Sequence, residues 1–326
     1  MTKLSRRAIL AACVVAPLAA PALAQTFPSR PITITVPFAA GGPTDVVARL
    51  VAEGMAKDLG QPVVVENITG AGGTIAATRV AQARPDGYSL LVHHIGHATA
   101  ATLYRQLPYN VETSFAPLGL VSDAAMTIVA RPDFPANDLA GFIAAMKQQG
   151  DKLNLAHSGL GGANQLCGML VQQAAGTPLT SVVFRGSAPA LQEMMAGRID
   201  VFCDQATNTA PFIRDGRIKA YAVTLLDRRV EGLNLPTTAE AGAPGISMST
   251  WHGVYAPAGT PEAVQERLAT AIRAALREER LRARFADLVT EVAAPEQATP
   301  AAHRKHLAAE VARWRPIIQA AGVYAD

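Results

Sequence analysis

Four times along this chain a short β-rich run opens into a glycine-rich loop and then into an amphipathic helix, and that recurrence restricts the fold more than any other feature. The first unit is residues 31–38 (PITITVPF), the loop Ala39-Ala40-Gly41-Gly42-Pro43, and a helix with Val46, Val47, Leu50, Val51 and Leu59 along one side and Gly60 as its stop. Alternation marks the strand, and helical spacing of the apolar residues marks the helix. The second unit is residues 63–66, the loop Thr69-Gly70-Ala71-Gly72-Gly73 and a helix over 74–83. A Pro85-Asp86-Gly87 turn then feeds a strand at 88–92. The pattern pauses over 103–117 and restarts with a strand at 153–156, the loop Ser158-Gly159-Leu160-Gly161-Gly162, and a helix over 163–175 closed by Gly176. The last unit is 181–184, Arg185-Gly186-Ser187 and a helix ending at Gly197, followed by a strand at 199–203. Ser187 is placed to cap that helix, with Pro189 in its first turn. Strands alternating with helices predict an α/β fold: parallel sheets with helices on both faces.

The C-terminal third differs. Thr260-Pro261-Glu262 and Thr299-Pro300 each start a long, charged, alanine-rich helix, and residues 251–256 just before them read as a strand. A strand that late must join an existing sheet, and the first lobe is the expected host. The expectation is therefore two α/β lobes, the second inserted into the first, with crossings near 120–129 and 221–226. Residues 25–122 and 227–326 would form lobe 1 and residues 123–226 lobe 2.

The N-terminus reads as a targeting segment. Lys3, Arg6 and Arg7 precede an apolar run at 8–20, and Ala22-Leu23-Ala24 supplies a small-x-small site, so cleavage before Gln25 is expected. The run is shorter than the roughly 20 residues that span a bilayer. Ser5-Arg6-Arg7-Ala8-Ile9-Leu10 loosely resembles a twin-arginine signal. Leu10-Ala11-Ala12-Cys13 resembles a lipoprotein box, but a cut there would leave the apolar residues 14–23 on the mature chain. Export into the periplasm follows as an expectation. Of 29 Lys and Arg, three lie in this segment, which leaves 26 against 26 Asp and Glu. A balanced chain carries no electrostatic footprint for nucleic acid. The 302 residues after Ala24 exceed one usual core and suggest two domains. Cys167 sits early in a helix and Cys203 ends a strand at the same edge of the second lobe, so in an oxidising compartment a bridge is expected; two buried free thiols are the alternative.

Ligands of open α/β sheets bind where strands end and helices begin, and helix N-termini favour anions. Two such loops from each lobe point to a cleft that holds a small anion from both sides. Nucleotide readings fail on spacing: Ile75 stands where the dinucleotide fingerprint needs Gly or Ala, and no Gly-Lys-Ser/Thr follows a loop. Ser158 lacks the Gly-x-Ser-x-Gly elbow of a nucleophile, and His157 beside it points to the opposite face of its strand. His93, His94 and His97 have no acidic or thiol partner at ligand spacing, so they read as polar loop groups or core residues, and no metal or cofactor is expected. Asp45 and Asp204 are each either helix caps or ligand contacts.

PITITVPFAAGGPTDVVARL, ENITGAGGTIAA, PDGYSLLV, SGLGGANQL, FRGSAPALQEMMAGRIDVFCD and IKAYAVT resemble, in this order, the Bug-type solute-binding proteins of tripartite tricarboxylate transporters. The resemblance runs from about residue 28 to the C-terminus. It implies a two-lobed type II periplasmic-binding fold, a monomeric receptor that is not an enzyme, and partnership with two membrane subunits. It also implies a small carboxylate ligand: a di- or tricarboxylate, an acidic amino acid, or an aromatic acid. Backbone N–H groups of the loops hold such ligands in that family. Carried over, the site comprises Phe38, Ala40, Gly41, Asp45 and Gly72 from the first lobe, and Ser158, Gly162, Ala163, Arg185, Gly186 and Asp204 from the second. The chain departs at Ala163 and Gln165, where the family often has Ser and His; His94, His97, Asn164 and Gln205 are candidates to compensate. A receptor feeding a membrane kinase rather than a transporter is the alternative function, and a hydrolase using Ser158 a third.

Overall fold

The computed structural model describes residues 27–325. The expected cleavage before Gln25, the twin-arginine match and the Cys13 box lie outside the described residues.

The strands are β1 (Ile32–Val36), β2 (Val63–Asn67), β3 (Ser89–His94), β4 (Phe115–Ala130), β5 (Asn154–His157), β6 (Thr180–Val183), β7 (Val201–Gln205), β8 (Lys219–Val223), β9 (Ser249–Pro257) and β10 (Glu291–Val292). The helices are α1 (Pro43–Leu59), α2 (Thr74–Ala81), α3 (Gly96–Leu103), α4 (Leu139–Gln149), α5 (Ala163–Ala175), α6 (Ser187–Met195), α7 (Ala206–Arg214), α8 (Glu262–Ala275), α9 (Glu279–Asp287) and α10 (Pro300–Ala321). The four sequence units become β1–α1, β2–α2, β5–α5 and β6–α6. Glycine does its usual work at the helix ends: Gly60 and Gly176 are left-handed, with φ of 67° and 64°.

One sheet runs through the molecule in the order β2-β1-β3-β9-β4-β7-β5-β6, with β8 and β10 also paired to β4. β1, β2 and β3 are parallel, as are β5, β6 and β7, which is the expected α/β arrangement. The seam is antiparallel, so the sheet is mixed. β9 lies between β3 and β4, and it joins the first half of the sheet as a late strand must. β4 serves both halves. Its residues 115–125 pair with β9, while 126–130 pair with β7 and β8. Only Asp123 along its sixteen residues escapes full burial, which explains its nearly continuous apolar sequence. The chain returns near Thr224, whose backbone and hydroxyl both bond to Met248 just before β9.

Helices cover the faces. α1 and α8 pack where Gly54 meets Ala275, an approach that a Cβ at position 54 would block. Trp314, Tyr255 and Phe285 fill the first half, and Phe134, Phe142 and Phe202 the second, all without solvent contact. Each such ring contributes about 1.5–3 kcal/mol through burial. Cys167 of α5 and Cys203 of β7 form a disulfide with Cα atoms 5.8 Å apart, as the sequence suggested. On the chain-entropy picture, closing a loop of that length contributes ~4 kcal/mol.

Candidate functional site: a chamber between the two halves of the sheet

Loops from both halves meet over the seam around a cavity of only about 10 Å³. Phe38, Pro43, Thr44 and His94 line it from the first half; Ser158, Ala163, Asn164, Ser187 and Gln205 line it from the second. That is room for about one water, far below the roughly 300–1,000 Å³ of ordinary ligand pockets, so an organic ligand enters only if the walls part. Four helices start at this chamber: α1 at Pro43, α5 at Ala163, α6 at Ser187 and α7 directly after Gln205. None of the four has a side chain capping its N-terminus. Side-chain caps are found only on α4 (Asp138) and α10 (Thr299) among the described helices, and α2, α3, α8 and α9 lack them too, so what sets the chamber apart is the convergence of four N-termini. Uncapped first-turn N–H groups and the aligned peptide dipoles make the chamber attractive to an anion. None of the nine lining residues is Lys or Arg.

The first wall is organised by a charged knot. One oxygen of Asp45 accepts the Gly41 N–H and the Arg49 Nε, both at 2.9 Å; the other accepts Asn67 Nδ2 at 2.9 Å. Asn67 also donates to the Phe38 carbonyl, which fixes the loop over the chamber. Burial would raise the Asp45 pKa, but Arg49, the Gly41 N–H and Asn67 outweigh it and hold the carboxyl below its ordinary value. His94 stacks on Phe38 with ring centroids 4.6 Å apart. Its Nδ1 accepts the Gly96 N–H at 2.9 Å. Burial pushes its pKa down to about 3, so the ring is neutral and its one proton sits on Nε2. His252 holds the floor, bridging the Thr44 hydroxyl at 3.2 Å and the Ser122 hydroxyl at 3.0 Å.

The second wall is organised by a hydrogen-bond relay that ends on a buried carboxyl group. Both the N–H and the hydroxyl of Ser158 donate to Asn164 Oδ1 at 2.9 Å. Asn164 Nδ2 donates to Ser187 Oγ at 3.1 Å, and Ser187 donates to Asp204 Oδ1 at 2.8 Å. Asn208 completes the chain on the other Asp204 oxygen at 2.7 Å. Asp204 is wholly buried with no cation beside it among the described residues, and burial raises its pKa to about 6 against the opposing donors Asn208 and Ser187. Gln205 is 2% exposed and its Oε1 has no partner among the described residues.

The halves touch at the mouth of the chamber. The Ala39 N–H donates to the Arg185 carbonyl at 3.0 Å. The Tyr104 hydroxyl lies 2.7 Å from the Ala71 carbonyl and 3.0 Å from that of Leu160, so it spans the seam. Gly72 sits against the same Leu160 carbonyl with φ of 61°, where a Cβ would collide. Outside this contact lies a wider cleft of about 440 Å³, open to solvent, lined in part by Gly72, Tyr104, Leu160, Val183 and Arg185.

Known proteins decide the family. The tripartite tricarboxylate transporter family receptor (TctC) matches residues 47–323. The chain belongs to this receptor family. Its fold superposes on the periplasmic binding protein BugD with a TM-score of 0.89 at 44% identity, covering 92% of this chain and all of that one. MatC of Rhodopseudomonas palustris, solved with bound malate, gives 0.87 at 41% identity over 90% of this chain and all of MatC. Rpa4515 of the same organism, solved with adipate, gives 0.85 at 32% identity over 91% of this chain and 99% of the other.

In this member of the TctC receptors, six of the residues singled out in the sequence line the chamber: Phe38, His94, Ser158, Ala163, Asn164 and Gln205. Three stand behind it. Asp45 and Asp204 anchor the walls, and Gly162 packs against the Ser158 hydroxyl and Asn164. The rest lie elsewhere. Ala40 and Gly41 are exposed, and the Gly41 N–H expected to meet a ligand is taken by Asp45. Gly186 packs on the Ala39 backbone. Gly72 and Arg185 line the outer cleft, and the exposed Arg185 side chain has no partner among the described residues. His97 is buried among Tyr109, Phe115 and Tyr255 as a core residue. Ser187 is the first residue of α6 rather than its cap, because its hydroxyl is committed to Asp204. Neither Asp45 nor Asp204 caps a helix. His157 bonds Ser181 at 2.6 Å, so Ser158 has no histidine partner among the described residues. Thr44, Tyr104 and His252 escaped notice. Thr44 follows a helix-starting proline and could have been found; the other two arrive through tertiary contacts with no local signal.

Proposed function

We propose that this chain is a periplasmic receptor that captures a small organic carboxylate between two closing lobes and delivers it to the membrane subunits of a tripartite tricarboxylate-type transporter. The observation that carries the reading is the convergence of four helix N-termini on a chamber whose lining holds no Lys or Arg. Such a chamber meets negative charge with backbone N–H groups and dipoles, at no cost of desolvating a lysine or arginine. The malate and adipate in related receptors support a carboxylate as the ligand. The lobes divide within β4, where pairing passes from β9 to β7 after Ala125, and beyond β8, close to a division into 25–122 with 227–326 and 123–226; the direct contacts across the mouth correspond to the closed state. Ser158 commits its hydroxyl to Asn164, which argues for binding rather than turnover.

A thermal-shift series with malate, adipate, an acidic amino acid and an aromatic acid, against sugars and amines, tests this. A ligand at a hundred times its Kd stabilises the fold by about 2.7 kcal/mol. At roughly 2–4 °C per kcal/mol for a chain of this size, the melting temperature rises by several degrees. A shift with sugars or amines and none with carboxylates would overturn the reading.

A further inference from the structure

The disulfide joins two segments that both reach the chamber. Cys167 follows Ala163 by four residues and Asn164 by three in α5, so it shares their face of the helix. Cys203 directly precedes Asp204 and Gln205 at the end of β7. Both sulfurs are buried, with the cysteines 0% and 1% exposed. The two segments also share the apolar core, in which Ala163, Leu166, Leu170 and Val171 of α5 lie with Val201 of β7, but that packing is non-directional and sets no single spacing. The pairing of β7 with β5, the strand that leads into α5, is confined to Leu155 and Val201. From Phe202 to Gln205 the strand pairs with β4 on its other side. Near the chamber the two segments are joined by the side-chain relay through Asn164, Ser187 and Asp204, each step a single hydrogen bond.

Resting on the receptor reading, we propose that the Cys167–Cys203 bridge is a positioning element of the chamber as well as a staple of the fold. It fixes the first turn of α5 against the end of β7, so that the α5 N–H groups and Gln205 meet the ligand at one spacing. A donor set fixed before binding loses less freedom on binding, and this raises affinity. A bridge that only stabilised the fold would leave the affinity of already folded protein unchanged.

The test is calorimetric titration of malate and adipate into the oxidised protein, the Cys167→Ala/Cys203→Ala variant and Met146→Ala, well below all melting temperatures. Met146 is fully buried in α4 and stands outside the chamber lining, so its variant is destabilised without touching the site. The double variant is expected to bind at least about tenfold more weakly, about 1.4 kcal/mol, while Met146→Ala keeps the wild-type Kd despite its lower melting temperature. If the double variant does not fold, the wild type reduced by a water-soluble phosphine takes its place. There the S–S bond breaks, two S–H bonds form, and water supplies the protons and the oxygen of the phosphine oxide; thiol titration counts the product. Equal Kd with and without the bridge overturns the proposal and leaves the receptor reading standing. An equal loss in Met146→Ala also overturns it. Wild-type protein that binds no carboxylate overturns both.

Discussion

Asp45 and Asp204 brace opposite walls of one chamber, and they do so by opposite means. Asp45 is fixed by Arg49 and held below the ordinary carboxylate range, so its wall is organised by a charge. Asp204 has only Ser187, Asn164, Asn208 and backbone around it, and its pKa rises to about 6, so its wall is organised by a group that is readily protonated. The difference follows from position: α1 carries Arg49 one turn after Asp45, reaching out to solvent, whereas Asp204 ends a strand inside the sheet. A buried carboxylate without a cation accepts the proton rather than the cost of unpaired charge. An anion entering the chamber therefore meets one wall already neutralised and another that becomes neutral only toward lower pH.

The largest expected effect comes from keeping the walls apart. Gly72→Val places a branched side chain against the Leu160 carbonyl and the Tyr104 hydroxyl, at a φ of 61°. Backbone strain costs about 1–2 kcal/mol, but the cleft can no longer close. Carboxylate affinity is expected to fall at least about a hundredfold, about 2.7 kcal/mol, in protein that still melts cooperatively. Wild-type affinity in Gly72→Val would mean that closure at this contact is dispensable.

The next effect separates the two walls directly. Asp45→Asn removes charge-assisted bonds from Gly41 and Arg49 and is expected to cost about 1–3 kcal/mol, read as a lower melting temperature at pH 8. Asp204→Asn at the same pH removes an uncompensated buried charge, and stability is expected to hold or rise. Equal losses in the two variants would break the comparison. The pH dependence runs in opposite directions as well. Asp204, with its folded pKa raised from 3.8 to about 6, contributes stability present below pH 4 and lost as pH rises through 6. Asp45, depressed, contributes stability present above pH 4 and lost as pH falls through its folded value. Asp123, also pushed up to about 6 by burial, adds to the first trend, so the Asp204→Asn variant is needed to isolate it.

How much of this was legible beforehand differs between the fold and the site. Strand alternation, glycine stops and the proline-started helices are local signals, and β1, α1, β2, α5 and β9 lie close to where the sequence placed them. α3 was not placed, because His93, His94 and His97 read equally as polar loop groups or as core residues; all three are buried, as the second reading has it, and the helix starts between His94 and His97. The loops were located correctly, but not which of their atoms face inward. The Gly41 N–H is consumed by Asp45, Arg185 turns outward, and Ser187 points at Asp204; each depends on a partner distant in the chain or on side-chain direction, which spacing cannot encode.

A smaller effect concerns binding against pH. As pH falls from 8 to 6, with the ligand still ionised, Asp204 takes up its proton and the second wall loses its negative charge. Carboxylate affinity is expected to rise a few-fold over this interval, and Asp204→Asn is expected to flatten the dependence. A wild-type affinity that is flat or falls would place the Asp204 charge out of the ligand's reach.

The smallest effect belongs to the seam. Tyr104 sits half-buried beside two carbonyls, one from each half, and burial pushes its pKa up to about 12, so its hydroxyl keeps its proton and donates throughout the working range. One proton is shared between the Ala71 and Leu160 oxygens, so closure gains at most one net hydrogen bond, about 0.5–1.5 kcal/mol. Tyr104→Phe keeps the ring and removes that bond. Because the Leu160 contact exists only when the halves meet, the loss falls on the closed state, and the Kd is expected to rise about two- to tenfold. The unliganded melting temperature is expected to move little, since the open state exposes the Ala71 carbonyl to water in either protein. A larger effect on stability than on affinity would show that Tyr104 holds its own half together rather than the seam.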